Sequence, residues 1–303
     1  MNVAMDPALP FLGTEARSAG LVTKRTLRSR HRLIYRNVYL PNGVELTPVR
    51  RAIAAWLWSD RRAVVSGMSA AALLGSKWID RDAPAELTRR GAADAHGIVI
   101  HREVLRGDEV MTVRGIPVTT PARTAFDLGR RLERVPAVTA LDALAQASGV
   151  GAHDVAALAD RHRGMRGLLG LREALSLMDG GAESPQETRT RLVLLDAGLR
   201  QPRTQIVVRN AHGDFVARLD MGWDEFKVGV EYDGAQHWTD PVQRTRDIDR
   251  SAELSVLKWT IVRVSADLLR RRPHVLVTRI RSALRNAGCP WIGDSPECRP
   301  GAR

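Results

Sequence analysis

Two adjacent glycines, Gly180 and Gly181, are the feature that most constrains the fold of this 303-residue sequence. Because glycine readily ends a helix, the pair predicts a boundary between two separately folded parts. Domains usually run to roughly 100 to 200 residues, so a chain of this length is expected to form two or three of them. The chemistry that the sequence predicts is concentrated after this boundary.

Helices and strands are predicted in a defined order after the glycine pair. Ser184 and Pro185 suit the N-cap and first position of a helix, and Gly198 suits its end. Turn residues at 210–214 separate two strands of a hairpin. The predicted strands are 205–209, 215–221, 226–233 and 259–264, with later helices at 241–257 and 273–287. The resulting αβββαβα order is the core order of restriction-endonuclease-like nucleases, although unrelated mixed folds share it.

Acidic side chains are predicted to converge at one end of this sheet. Alternate residues on a strand point to opposite faces, so Glu231 and Asp233 share a face. A hairpin-like pairing of the two strands would bring Asp220 close to Glu231. Three clustered carboxylates repel each other unless a cation binds, and their oxygens suit Mg²⁺ or Mn²⁺. His237 follows a turn that contains glycine, where it is expected to transfer a proton or orient water.

The spacing of these residues resembles that of nucleases related to the very-short-patch repair endonuclease, in the PD-(D/E)XK superfamily. The segments that carry the resemblance are Asp220, the run 231–237, the run 246–250, Leu254 and the run 259–264. The resemblance implies a metal-dependent endonuclease that cuts DNA. By that analogy Asp220, Glu231 and Asp233 hold the metal, His237 assists catalysis, and Glu187 of the first helix completes the site.

Departures from this pattern leave other functions open. The superfamily's usual lysine is replaced by Asp233, so the general base is not identified. Glu187 is equally explained as a first-turn acid that the helix dipole favours. Asp247, Asp249 and Arg250 are expected to form ion pairs on the helix surface rather than enter the chemistry. The main alternative is a DNA-binding regulator or antitoxin-like protein with an inactive nuclease-like domain, and a protein-interaction module is a weaker third.

The N-terminal segment predicts a winged helix that binds double-stranded DNA. Two short helices hinge at Gly20, Thr23 suits an N-cap, and a β-ribbon follows at 32–40. The second helix would be the recognition helix, meeting phosphates or base edges through its basic residues. Those residues are Lys24, Arg25, Arg28 and Arg30. A helical hairpin with merely solvated charges is the alternative.

Residues 48–149 are predicted as a mixed α/β region. Thr120 followed by Pro121 is a local signal for the start of a helix. The region is similar to the AbiEi-type antitoxin family, which combines a winged helix with a mixed α/β domain. The segments that carry this similarity are 35–39, 69–75 and 116–128. The similarity implies DNA binding or regulation and points to no catalytic residue.

The composition indicates which partners and which cellular compartment to expect. Lys and Arg number 46 against 34 Asp and Glu, a formal charge of +12 that favours nucleic acid as partner, although a GC-rich genome also enriches Arg. The two cysteines, Cys289 and Cys298, suit neither a disulfide framework nor a four-ligand zinc site. With no apolar run of about 20 residues, we expect a cytoplasmic protein that does not enter membranes. The sequence leaves open whether two copies form a homodimer.

These patterns together predict an α/β chain in five parts. The parts are a winged helix at 7–47, a mixed α/β region at 48–149, a helical linker at 150–181, a restriction-endonuclease-like domain at 182–288 and a flexible tail at 289–303.

Overall fold

The computed structural model describes residue 6 and residues 8–91, 95–233 and 241–292, with the side chains of 241–247 left out. The predicted mixed α/β class is confirmed, since helices and three β-sheets alternate along the chain. Contacts divide the chain into two compact units, which we call unit 1 (Met1–Gly180) and unit 2 (Gly181–Arg303). In the described part of the chain, no helix is both long and apolar enough to cross a membrane.

Unit 1 begins with two short helices and a small antiparallel sheet. The elements are β1 (Phe11–Leu12), α1 (Gly13–Ser18), α2 (Lys24–Arg30), β2 (His31–Tyr35) and β3 (Val38–Pro41). The strand order is β1-β3-β2, so the first strand extends the ribbon. Thr23 caps α2, because its side chain accepts a hydrogen bond from the Thr26 backbone N–H at 3.1 Å. Leu27 packs against Phe11 and Ala16 in a small apolar cluster.

A five-stranded sheet surrounded by helices forms the rest of unit 1. The elements are α3 (Pro48–Trp58), β4 (Val64–Val65), α4 (Gly67–Leu73), β5 (Ala85–Thr88), β6 (Ile98–His101), β7 (Val110–Val113), β8 (Ile116–Thr119), α5 (Pro121–Arg131), α6 (Arg134–Ser148), α7 (Ala152–Arg161) and α8 (Leu168–Ser176). The strand order is β6-β5-β4-β8-β7. Between β7 and β8, Arg114 and Gly115 both have positive φ and turn the chain, so the two strands pair as an antiparallel hairpin.

Helices α7 and α8 pack against the core of unit 1. Both contact α5, and α8 also contacts α6. Val155, Leu158 and Leu171 are buried there, because apolar residues recur at helical spacing on one side of each helix. Residues predicted as a helical linker therefore belong to unit 1.

Unit 2 contains a four-stranded mixed sheet with helices on both faces. The elements are α9 (Pro185–Asp196), β9 (Arg203–Arg209), β10 (Phe215–Trp223), β11 (Val228–Asp233), α10 (Pro241–Val256), β12 (Thr260–Ser265), α11 (Ala266–Arg271) and α12 (Pro273–Asn286). The strand order is β12-β11-β10-β9, with β11 and β12 parallel and the other pairs antiparallel. This order of elements agrees with the predicted αβββαβα order, apart from the additional short helix α11.

Two apolar clusters hold the helices of unit 2 to its sheet. One combines Leu194 of α9 and Leu276 of α12 with Val230 and other strand residues. The second cluster sets Leu254 of α10 against Leu219 and its strand neighbours. The predicted flexible tail starts too early at residue 289, because Cys289 and Ile292 are buried in the first cluster. Residues 293–303 lie outside the described residues.

Candidate functional site

An open cleft of about 410 Å³ lies at one end of the unit 2 sheet. It brings together three of the acidic residues that the sequence singles out, and three arginines line the same cleft. The charged lining residues are Asp220, Glu231, Asp233, Arg218, Arg250 and Arg263. The cleft therefore contains balanced charge rather than an isolated acidic cluster.

Asp220 is positioned by the pairing of β10 with β11. Met221 lies opposite Val230 in the antiparallel register, which places Asp220 beside the end of β11. Its Oδ2 accepts a hydrogen bond from the Tyr232 backbone N–H at 2.7 Å. Burial raises the pKa of the Asp220 carboxyl, although this hydrogen bond and the charge of Arg250 oppose the rise.

Glu231 is held by an ion pair across the cleft. Arg250 of α10 donates from Nη2 to Glu231 Oε1, and both side chains are partly buried. Burial raises the pKa of Glu231, and the positive charge of Arg250 partly offsets that effect. The structural ion pair expected of Arg250 thus has Glu231 as its partner, a residue that the sequence predicts as a metal ligand.

Glu187 is buried at the start of α9 and makes a reciprocal N-terminal cap. Its carboxylate accepts hydrogen bonds from Ser184 Oγ and from the Glu183 backbone N–H, both at 2.8 Å. Ser184 Oγ in turn accepts from the Glu187 N–H at 3.2 Å. Burial raises the pKa of Glu187, and the negative charge of Asp220 raises it further. Glu187 is not among the described residues that line the cleft, and its place in the site stays a prediction.

The cleft fits a divalent cation poorly. Arg250 already neutralises Glu231, and Arg218 Nη2 donates to Glu183 Oε2 at 2.8 Å. Within the described residues, no group of three or more His, Cys, Asp or Glu side chains is arranged to hold a metal ion. His237 lies outside the described residues. The predicted Mg²⁺ or Mn²⁺ cofactor stays a prediction, as do the catalytic roles of these residues.

A second charged feature lies on helix α2 of unit 1. The four basic residues that the sequence predicts to meet DNA are all exposed, whereas Leu27 faces the core. In the part of the chain that the structure describes, none of the four forms an ion pair. At the nearby ribbon turn, Asn37 Oδ1 accepts a hydrogen bond from the Thr14 backbone N–H at 3.1 Å. The ribbon is thereby fixed to helix α1.

A buried ionic network in unit 1 was not predicted from the sequence. Arg123 is 1% exposed and donates to Glu109 Oε2 at 2.6 Å, to Asp127 Oδ2 at 3.0 Å and to Glu103 Oε2 at 2.7 Å. The spacing of Arg123 and Asp127 on α5 is the one local signal of an ion pair. Burial disfavours the charge of Glu109, yet hydrogen bonds from His162 and a backbone N–H hold the pKa of Glu109 below its usual value.

Two curated proteins of Mycobacterium tuberculosis are similar to this chain over 191 residues. They are the uncharacterized proteins Rv2248, from strain H37Rv, and MT2308, from strain CDC 1551. Each is 35% identical over 191 residues, a match that covers 63% of this chain and 69% of the relative. The chain belongs to the family of these two proteins. No solved structure matches it.

The family model of the AbiEi antitoxin C-terminal domain matches residues 50–177. The predicted AbiEi-like region is therefore confirmed from residue 50 onward and extends through helices α7 and α8, whereas the match does not include the ribbon segment 35–39. The prediction of a magnesium-dependent deoxyribonuclease is wrong, because this match points to a non-enzymatic antitoxin or regulator. The comparisons give no support to the predicted domain related to the very-short-patch repair endonuclease.

Proposed function

We propose that this family member is a DNA-binding regulator of the antitoxin type, and that residues 8–41 contact double-stranded DNA as a winged helix. The observation that carries the proposal is the exposed, unpaired basic surface of α2 next to the matched antitoxin domain. Helix α2 would be the recognition helix, and the β2–β3 ribbon would be the wing.

The local geometry supports phosphate contact by this segment. Helix α2 contains no acidic residue, so its guanidinium and ammonium groups are free to pair with phosphates. Arg36 is exposed at the ribbon turn, and Arg32 is exposed on β2. Arg17 on α1 is also exposed. A protein that neutralises several phosphates in this way binds DNA strongly at low salt and weakly at high salt.

In this proposal unit 2 has no catalytic role. Arg250 forms an ion pair with Glu231, and Asp233 stands where the usual lysine would be. Removing Arg250 from its partly buried partner Glu231 would carry an electrostatic cost. The ion-paired cleft thus supports a scaffold or binding role for unit 2.

The test is duplex DNA binding by the intact protein, followed by fluorescence anisotropy over a range of salt concentrations. The test variant replaces Lys24, Arg25, Arg28 and Arg30 with Gln. We expect weaker binding and a slope of log K against log salt that is shallower by about 0.9 for each phosphate that the variant no longer neutralises.

A control variant removes the same charge from exposed positions elsewhere in unit 1. It replaces Lys77, Arg163, Arg166 and Arg172 with Gln. Equal losses in the two variants would show that total charge, and not helix α2, accounts for binding. Unchanged binding by the α2 variant would overturn the proposed contact.

A further inference from the structure

Positive charge in unit 2 is concentrated in one stretch near its end. Residues 258–285 contain eight Lys or Arg and a single acidic residue, Asp267. The remainder of residues 181–303 contains 12 Lys or Arg and 15 Asp or Glu. The stretch forms strand β12 at the edge of the sheet and helices α11 and α12. The charge is therefore segregated along these elements rather than spread evenly over unit 2.

Helix α12 separates an apolar side from a basic, hydroxyl-bearing side. Leu276, Ile280 and Leu284 are buried against the sheet. The outer face of α12, defined by His274, Thr278, Arg279, Ser282 and Arg285, is exposed. Helix α12 contains no carboxylate and no aromatic side chain other than His274.

Not every arginine near this face is free to bind a partner. Arg272 Nη2 donates to Asp267 Oδ2 at 2.7 Å, and Arg271 lies 3.7 Å from the same carboxylate. Arg281 donates to the Ala197 carbonyl at 2.7 Å, which ties α12 to the end of α9. Arg279 and Arg285 form no ion pair within the described residues. Arg270 is likewise exposed, and its Nε donates to a carbonyl of its own helix.

We infer that Arg270 on α11 and the outer face of α12 form a second contact surface for the sugar-phosphate backbone of duplex DNA. Guanidinium groups pair with phosphate oxygens in bidentate geometry, and the serine hydroxyl of this face can donate to the same oxygens. Thr278 contributes less, because its Oγ1 donates to the His274 carbonyl at 2.9 Å. Single-stranded nucleic acid is disfavoured, because its recognition relies on stacking against larger aromatic side chains than His274. The surface is separate from α2 and rests on the proposed DNA-binding function.

A second backbone contact changes how the whole chain holds DNA. When two surfaces on one chain engage the same duplex, the second contact forms at a raised effective concentration. Backbone contacts hold DNA without reading its sequence. The α12 surface should therefore add affinity for any duplex and leave sequence preference to unit 1.

The experiment compares intact proteins by fluorescence anisotropy on a generic duplex at several salt concentrations. The α12 variant replaces Arg270, Arg279 and Arg285 with Gln, and the control variant replaces the exposed Arg189, Arg203 and Arg209 with Gln. We expect the α12 variant to bind more weakly, with a salt slope shallower by about 0.9 for each phosphate left without its arginine. The control should keep the wild-type slope. Circular dichroism checks that all variants are folded.

The outcomes separate this inference from the proposed function. If the α12 variant and the control bind alike, the second surface is wrong, while weaker binding by the α2 variant still supports the proposed function. If the α12 variant fails to bind and the α2 variant binds normally, the second surface stands and the proposed α2 contact fails. A wild type that binds no duplex overturns both. An α12 variant that binds DNA normally but no longer binds polyglutamate would assign the surface to an acidic protein and overturn the inference.

Discussion

Replacing Arg123 with Met tests the buried ionic network on which the antitoxin-like domain depends. Met keeps much of the aliphatic volume and removes the charge and all the donors. Arg123 is 1% exposed, as is Glu109, and Asp127 is fully buried. The substitution would leave two carboxylates buried with fewer partners, which is the case in which breaking a buried ion pair costs about 3 to 5 kcal/mol.

The expected loss lies at the lower end of that range. Arg130 Nη2 still lies 2.8 Å from Asp127 Oδ1, and His162 Nε2 still contacts Glu109 Oε1 at 2.5 Å. We therefore expect a loss of about 3 kcal/mol in the free energy of unfolding of unit 1. For a unit of this size, that loss corresponds to a fall in Tm of roughly 6 to 12 °C.

Urea unfolding and calorimetry of the intact protein measure this loss, with Arg61→Met as the matched control. Arg61 also pairs with a carboxylate, that of Glu15 at 2.6 Å, but the two side chains are 41% and 55% exposed. An exposed pair contributes only about 0.2 to 1 kcal/mol. Equal and small losses in the two variants would refute the reasoning that burial makes the Arg123 network essential.

Three further predictions concern the ionisable groups. Asp220→Asn should raise the unfolding free energy of unit 2 at neutral pH, by on the order of 1 kcal/mol, because burial disfavours this charge; a destabilised variant in urea would contradict it. Arg250→Gln should lower the free energy of unfolding of unit 2 by about 1.5 to 3 kcal/mol, because Glu231 loses its ion-pair partner. Adding Glu231→Gln should restore most of that free energy, and additive losses in the double-mutant cycle would exclude coupling between the two side chains. Unit 2 should gain stability as pH falls below neutral. Burial disfavours the charged carboxylates of Glu187, Asp220 and Glu231 and raises their pKa values, and this unfavourable energy disappears as each group is protonated. Unit 1 should lose stability only at more acidic pH, as the lowered pKa of Glu109 is crossed. Hydrogen exchange measures the stability of each unit against pH, and a unit 2 that loses stability before unit 1 as pH falls would contradict this prediction.

Local signals in the sequence predicted the elements of this fold well. Thr120 and Pro121 start α5 as expected, with Thr120 Oγ1 accepting from the Arg123 N–H at 3.3 Å, and Ser184 caps α9. Alternation along β10 and β11 placed Asp220 beside the end of β11. These features depend on residues within one helix turn or one hairpin, where sequence spacing determines which groups meet.

Contacts between distant residues were not predictable in the same way. Arg123 pairs with Glu109 and Glu103, which lie 14 and 20 residues earlier in the chain, and nothing in this spacing indicates the contacts. Carboxylates that converge on a sheet suggest a metal site, but Arg250 on a later helix neutralises Glu231 instead. The match to the AbiEi antitoxin C-terminal domain overturns the nuclease prediction, and the spacing of these carboxylates gave no sign of that family.

The most direct test of the account measures DNA binding and DNA integrity in the same sample. The intact protein is incubated with a labelled duplex and Mg²⁺, anisotropy records binding, and a denaturing gel then shows whether the strands are whole. We expect salt-sensitive binding that depends on helix α2, with every strand uncut. Cut strands, or a duplex that the protein does not bind at low salt, would contradict a DNA-binding regulator without nuclease activity.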